Sequence, residues 1–325
     1  MEDPNNELST TYRKVLQPNR TAQFMAFASL VIPGSILRAI PLSHNNNIAE
    51  ASRSIRAVAR DLIRGKKEKL QDKPQAKDID ILSVALESGY FSDEGLVNQL
   101  MTFLAAGHGE QTHSSTEPQQ LLTRIPETTA TGLIWATFLL CKHPDVQARL
   151  RKEVREMLPS PNSDTAMTVQ TLDACSYLHA VCNEVLRLYA PVPIILRVAD
   201  KDTSLLGQFI PKGTDIMVPI WAINTSIELW GPDALEFNPE RWIGPGKANS
   251  GGAESNYAFM TFIHGPRSCI GQQFAKAEFG CLVAALVGSF QFELEDPEMD
   301  IKIQGGITAK PRYGLKVRMK PLEGW

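Results

Sequence analysis

The stretch Phe262-Ile263-His264-Gly265-Pro266-Arg267-Ser268-Cys269-Ile270-Gly271 constrains this chain more than any other. It sets one cysteine between two glycines, with an arginine two residues upstream. Behind it, Phe274, Ala277, Cys281, Leu282, Ala285 and Leu286 recur at three and four residues, the spacing of a helix. Cys269 therefore stands just before a helix N-terminus, where free N–H groups favour a thiolate. Gly265 and Gly271 let the backbone turn tightly and approach a flat ligand, and Pro266 stiffens the turn between them. Arg267 offers a fork of donors to a carboxylate. A lone cysteine ahead of a helix ordinarily reads as a buried, inert thiol, so the weight falls on the spacing of its neighbours.

That spacing, Phe-x-x-Gly-x-Arg-x-Cys-x-Gly, resembles the haem-binding loop of the cytochrome P-450 (haem-thiolate monooxygenase) family at all five fixed positions, Phe262, Gly265, Arg267, Cys269 and Gly271. The resemblance is to the microsomal and fungal type. It implies that haem b is the cofactor, that Cys269 is the proximal iron ligand, and that Arg267 contacts a haem propionate, with Arg197 as a second propionate contact. A second motif is Glu184-x-x-Arg187, on a segment with the apolar stripe Leu178, Val181, Cys182, Val185 and Leu188. At three residues' spacing the two charges meet on one helix face, where the plain reading is an exposed ion pair of little worth. Asn238-Pro239-Glu240-Arg241-Trp242 supplies another arginine in the family's order. The resemblance then implies that Glu184, Arg187 and Arg241 form the structural triad that locks the loop beneath the haem.

Length and charge bound the rest. A chain of 325 residues with 43% hydrophobic content can bury a large core, as one big domain or two ordinary ones. A net charge of −3 gives no basic field for nucleic acid, although Lys and Arg cluster from Arg53 to Lys69, a run that reads as a solvated helix face. Cys141, Cys175, Cys182, Cys269 and Cys281 are odd in number and lack Cys-x-x-Cys spacing, which predicts reduced thiols on the cytosolic side. The acidic, polar start, Met1-Glu2-Asp3-Pro4-Asn5-Asn6-Glu7, does not read as the beginning of a signal peptide. The longest apolar stretch, Ala22 to Pro33, falls short of the ~20 residues a membrane span needs. Against the family, the chain reads as N-terminally truncated and without the usual membrane anchor.

Taken in order, residues 1–90 read as lid-type helices and linker, and 91–325 as the haem-binding core of the same single domain. The segment 1–43 resembles the family's lid, which covers the substrate site and touches the membrane surface. Ile48, Ala51, Ile55, Val58, Ala59 and Ile63 follow at helical spacing, and Gln71 to Lys77 reads as a polar linker. Ser92 is the expected N-cap of a helix whose stripe is Leu96, Val97, Leu100, Met101 and Leu104. Periodicity stops after Ala105-Ala106-Gly107-His108 and resumes at Glu127-Thr128-Thr129. Joined, Ala106-Gly107-His108 and Glu127-Thr128 complete a pattern that resembles the family's oxygen-activating helix. Ala106 and Gly107 then leave room above the iron, Thr128 donates a hydrogen bond, and Glu127 relays protons.

The polar residues 109–126 between these halves interrupt a strongly periodic helix and read as a translated, unspliced intron. Gly109-Glu110 can be encoded with a GTGAG donor, and Pro126-Glu127 with a CAG acceptor. Excision removes 18 codons and again leaves Glu at the junction. Downstream, Ile194 to Val218 and Phe290 to Val317 alternate apolar residues with turns, which predicts small antiparallel sheets. Phe103, Val192, Ile194, Ile195 and Ile307 are the expected substrate-pocket residues, each also readable as core.

The expected fold is mainly α with small antiparallel β-sheets, the C-terminal part of the cytochrome P-450 fold. The expected reaction is insertion of one oxygen atom of O2 into a small hydrophobic substrate. No flavin or nicotinamide motif is visible, so electrons would come from a separate NADPH-cytochrome reductase. For the full-length family member the expected site is the cytosolic face of the endoplasmic reticulum membrane. Two alternatives stand beside this reading: a truncated fragment that does not hold haem, and a reductase-independent isomerase or peroxygenase.

Overall fold

The period-four spacing Ala51, Ile55, Ala59 and Ile63 builds the first helix of the described residues, α1 (Ser43–Asp72), and all four side chains are buried. A computed structural model describes residues 43–72, 80–106, 127–160, 163–304 and 307–325. The expected lid before residue 43, most of the polar linker, Gly107 and the insert 109–126 lie outside the described residues. The chain divides into two compact units between Glu127 and Thr128.

In the first unit, α1 packs against α2 (Ile81–Glu87) and α3 (Asp93–Ala106), and Ala59 and Ile63 cluster with Leu96, Val97 and Leu100. Asp80 caps α2 by accepting the Ser83 N–H at 2.7 Å, and the Ser92 hydroxyl accepts the Gly95 N–H at 3.1 Å in the first turn of α3. The short helix α2 was not anticipated from the sequence; seven residues carry too little periodicity. The basic run on α1, expected to face only solvent, instead pairs with acids: Arg56 and Arg60 with Glu94, Lys67 with Asp93 and Lys66 with Asp80. These pairs remain largely exposed, so each contributes little, and apolar packing carries the unit. The stripe of α3 joins α1, and the two compact units divide after Glu127.

The second unit is built on α7 (Ser176–Leu188), which is buried on nearly every side. Around it stand α4 (Glu127–Lys142), α5 (Pro144–Met157), α6 (Val169–Asp173) and α10 (Gln272–Ser289). Leu178, Val181 and Val185 of α7 share one core with Trp135 and Leu140 of α4, Leu150 and Val154 of α5, and Phe279, Val283 and Val287 of α10. No side chain of Cys175 caps α7; Glu153 of α5 does so instead, accepting the N–H groups of Tyr177 at 2.9 Å and Leu178 at 2.8 Å. Such a carboxylate satisfies orphan donors and complements the helix dipole.

On α10 the sequence stripe is corrected. Phe274 is 68% exposed, and Ala277, Cys281 and Leu286 are half-buried; the buried face is Phe279, Gly280, Val283, Ala284 and Val287. This helix is apolar nearly all round, so its period does not choose a face. Gly280 packs beside Leu172 of α6, where a Cβ would stand at 3.6 Å, an ordinary van der Waals distance.

Among the described residues the strands form four two-stranded antiparallel sheets: β1 (Ile195–Val198) with β4 (Asp215–Val218), β2 (Thr203–Leu205) with β3 (Gln208–Ile210), β5 (Phe290–Leu294) with β8 (Val317–Pro321), and β6 (Ile303–Gln304) with β7 (Lys310–Pro311). A mainly helical chain with small antiparallel sheets is thus the observed architecture. Between β4 and α10 lie α8 (Ile220–Asn224), α9 (Ile227–Trp230) and a 3-10 turn at Pro239–Trp242. Among the described residues, no helix is long and apolar enough to cross a membrane.

Candidate active site

Glu184 and Arg187 lie one turn apart on α7, and both are fully buried. Arg187 donates to the carboxylate through two parallel bonds, Nε to Oε2 and Nη2 to Oε1, each 2.8 Å. Three further donors converge from 54 to 58 residues away: the Asn238 backbone N–H and Arg241 Nε on Oε1, at 3.0 and 3.1 Å, and Trp242 Nε1 on Oε2 at 2.9 Å. Arg187 in turn gives Nη1 to the carbonyls of Asn224 and Ala234, at 2.8 and 2.5 Å, and Nη2 to that of Glu236 at 3.1 Å. Arg241 also holds Asp233, whose carboxyl is raised by burial but brought below its ordinary value by Asn238 and Arg241. A carboxylate stripped of water but met by five donors satisfies the condition under which a buried charge persists. The exposed-pair alternative is excluded by this burial.

Two side chains that the sequence did not single out complete the arrangement. Asn224, fully buried at the end of α8, donates Nδ2 to the Arg187 carbonyl at 3.2 Å and to Thr261 Oγ1 at 2.8 Å, and accepts the Met260 N–H at 2.8 Å. Thr261 donates its hydroxyl to the Leu186 carbonyl at 2.7 Å. No local pattern marks either residue. Trp242, buried behind Arg241 in the Asn238–Trp242 motif, meets the need of an indole N–H for an acceptor by donating to Glu184.

Immediately after Thr261 comes the cysteine loop. Its ends are closed by the Cys269 N–H donating to the Phe262 carbonyl at 2.9 Å. Between them Ile263 takes φ +61° and Gly265 φ +79°, followed by the 3-10 turn Gly265–Arg267. The left-handed region is open to glycine but costly for a β-branched residue, so Ile263 marks a constrained point. Phe262 packs beside the Lys276 ammonium, 5.7 Å from the ring centroid. Burial lowers the pKa of that lysine. Cys269 is exposed, whereas the other four thiols are half-buried or buried. Burial pushes Cys141 and Cys175 up to about 11 and Cys182 up to about 12, which leaves them poor nucleophiles and poor ligands.

A cavity of about 180 Å³ opens on this loop, lined by Thr128, Thr129, Gly132, Val192, Ile195, Thr261, Phe262, Ile263 and Cys269 among others. Of the residues expected from the sequence, it brings together Cys269, Phe262, Thr128, Val192 and Ile195. Others stand elsewhere. Ile194 and Ile307 do not line it and are 47% and 60% exposed: Ile194 stands beside Ile195 in extended backbone, where neighbouring residues turn to opposite faces, and Ile307 lies between β6 and β7. Arg197 projects from β1 and donates to the carbonyl of Leu196 at 2.9 Å. Arg267 and Gly265 are exposed in the loop. Glu127 is half-buried at the first position of α4. Phe103, half-buried, and Ala106, exposed, belong to α3 in the first unit; Gly107 lies outside the described residues.

The donor set is one exposed thiol with no second metal-ligating side chain lining the cavity. Among the described residues no three His, Cys, Asp or Glu side chains gather to hold a bare ion. A single protein ligand suits a metal that arrives already held by a macrocycle, so Cys269 is the residue that would hold a haem here.

The comparison with known proteins decides the family. The cytochrome P450 profile matches residues 2–317. The chain belongs to the cytochrome P450 family. The cytochrome P450 monooxygenase sphH of Aspergillus fumigatus is 45% identical across all of this chain, which covers 57% of that protein. The cytochrome P450 monooxygenase FUM15 of Gibberella moniliformis is 38% identical over 99% of this chain and 59% of its own length. The crystal structure of the P450DA haem domain shares the fold, with a TM-score of 0.67 at 23% identity over 97% of this chain and 61% of that one. This P450 chain therefore spans somewhat less than two thirds of the relatives it matches.

Proposed function

We propose that this P450 chain carries the catalytic part of a haem-thiolate monooxygenase that inserts one oxygen atom of O2 into a small hydrophobic substrate. The observation that supports it most is the exposed Cys269 on a constrained loop, opening on the same cavity as Thr128. Cys269 would hold haem b as the thiolate ligand, with Arg267 and Arg197 as propionate partners. Haem so bound supplies oxygen activation, which a strongly donating thiolate assists. The chain's own residues do the rest. Phe262 and Ile263 cover the loop around the sulfur, while Thr128 presents a hydroxyl to the reacting side and Glu127 relays protons toward it. Val192 and Ile195 give substrate an apolar wall from which water is excluded. The triad of Glu184, Arg187 and Arg241 holds the frame on which the loop rests.

Electrons from a separate NADPH-cytochrome reductase, and association with the cytosolic face of the endoplasmic reticulum membrane, belong to the same proposal. So does the reading of 109–126 as intron-derived. The deciding experiment loads the expressed chain with haem and records the reduced, carbon-monoxide-bound spectrum of wild type and Cys269→Ser. A thiolate-type Soret band present in wild type and lost in the variant supports the reading. An unchanged spectrum in the variant sinks it, and a wild-type chain that takes up no haem favours the fragment alternative.

A further inference from the structure

We infer that Asn224 is a positioning residue that ties the Cys269 loop to the buried ion pair, so that the order of the sulfur depends on Asn224 separately from the order of the triad. The inference rests on the reading of Cys269 as the thiolate ligand.

The loop has a reason to move. Ile263 sits at φ +61° on its inner arm, a backbone region that β-branched residues avoid, and such a conformation persists only where the surroundings over-determine it. Two residues just ahead of it provide that determination. The Met260 N–H is held by Asn224 Oδ1 at 2.8 Å, and Thr261 Oγ1 both receives Asn224 Nδ2 at 2.8 Å and donates to the Leu186 carbonyl at 2.7 Å. Ile263 in turn donates its N–H to the Met260 carbonyl at 2.9 Å, and the Phe262 carbonyl receives the Cys269 N–H at 2.9 Å. Release of Met260 and Thr261 therefore frees the two residues that fix the path of Phe262 and, through one backbone bond, of Cys269.

The other end of the tie is α7. Asn224 Nδ2 donates to the Arg187 carbonyl at 3.2 Å while the Asn224 carbonyl accepts Arg187 Nη1 at 2.8 Å, so the two residues close a ring of bonds in a site with no water access. An asparagine amide has two donors and an acceptor on one planar head, and here both faces are used. The Met260 N–H fixes which end is oxygen. Neither aspartate, which lacks the donors, nor alanine can substitute. Truncating this side chain leaves all five donors on Glu184 in place, since none of them comes from Asn224. The hub and the loop are thus separable by mutation.

The test compares wild type, Asn224→Ala, Thr261→Val and the double variant by hydrogen exchange on the haem-free chain, reading peptides over 259–271 and 177–188. The expected result is exchange about tenfold faster in 259–271 for each single variant, the loss of one or two buried hydrogen bonds, with 177–188 changed less than about twofold. The double variant should show less than the product of the single effects, because the two side chains share a bond. Loaded with haem, both single variants should lose the thiolate-type carbon-monoxide spectrum about tenfold faster on standing. Thr261→Val, nearly isosteric, carries the test if Asn224→Ala does not fold. Equal acceleration in both peptides, or none in 259–271, overturns the inference. A Cys269→Ser spectrum identical to wild type would instead defeat the ligand assignment, while the exchange result still reports on the tie.

Discussion

Replacing Arg187 by alanine strikes both the buried carboxylate and the carbonyls that its guanidinium holds. It takes two of five donors from the Glu184 carboxylate and leaves the buried carbonyls of Asn224 and Ala234, and the part-buried one of Glu236, without this guanidinium. A buried acceptor stripped of its donor costs about 1–3 kcal/mol, so the Asn224 and Ala234 carbonyls together cost roughly 2–6. Breaking a buried ion pair on one side costs about 3–5 kcal/mol. The two estimates overlap because they count some of the same groups, and about 5 kcal/mol is a fair lower figure. Whole-domain stability is about 5–15 kcal/mol, and at about 2–4 °C per kcal/mol the melting temperature of the second unit should fall by about 10–20 °C or the unit should not fold. Circular-dichroism melts of the purified chain read this directly. Lys152→Ala, which removes only an exposed partner of Glu156, is the control and should change little. A loss below about 5 °C for Arg187→Ala would refute the reasoning, because it would mean that water reaches the site and replaces the lost donors.

Gly288→Ala should show an effect whose sign depends on the C-terminus. A Cβ there would collide with the Trp325 ring, so the variant should lose about 1–3 kcal/mol in the wild-type background, yet gain about 0.5–1 kcal/mol from helix propensity once Trp325→Ala has cleared the space; the same sign in both backgrounds rejects the packing account. Asp233 has a folded pKa below 3.8, so its contribution is fully present above that value and fades as pH falls through the folded one; Asp233→Asn should therefore differ most from wild type near neutrality and converge in acid, as urea melts across pH would show. Deleting residues 109–126 should raise the coupling of NADPH consumption to product in a reductase-reconstituted assay, whereas sequencing that finds those codons in every mature transcript, with no splice signals in the gene, ends the intron explanation.

Sequence alone singled out the points on which the proposed chemistry rests. The spacing from Phe262 to Gly271 was enough to single out one cysteine among five, and Glu184-x-x-Arg187 was enough to bring opposite charges onto one helix face, because both are relations between near neighbours. Helix and strand content followed for the same reason. What the tertiary structure decided lies between residues far apart in the chain. It buried Glu184 and brought it Asn238, Arg241 and Trp242; it turned Phe279 rather than Phe274 into the core; and it set α3 with α1. It also gave Asn224 and Thr261 their roles. A polar side chain acquires a function from the carbonyls and N–H groups that the chain's path brings to it, and no local period records that path.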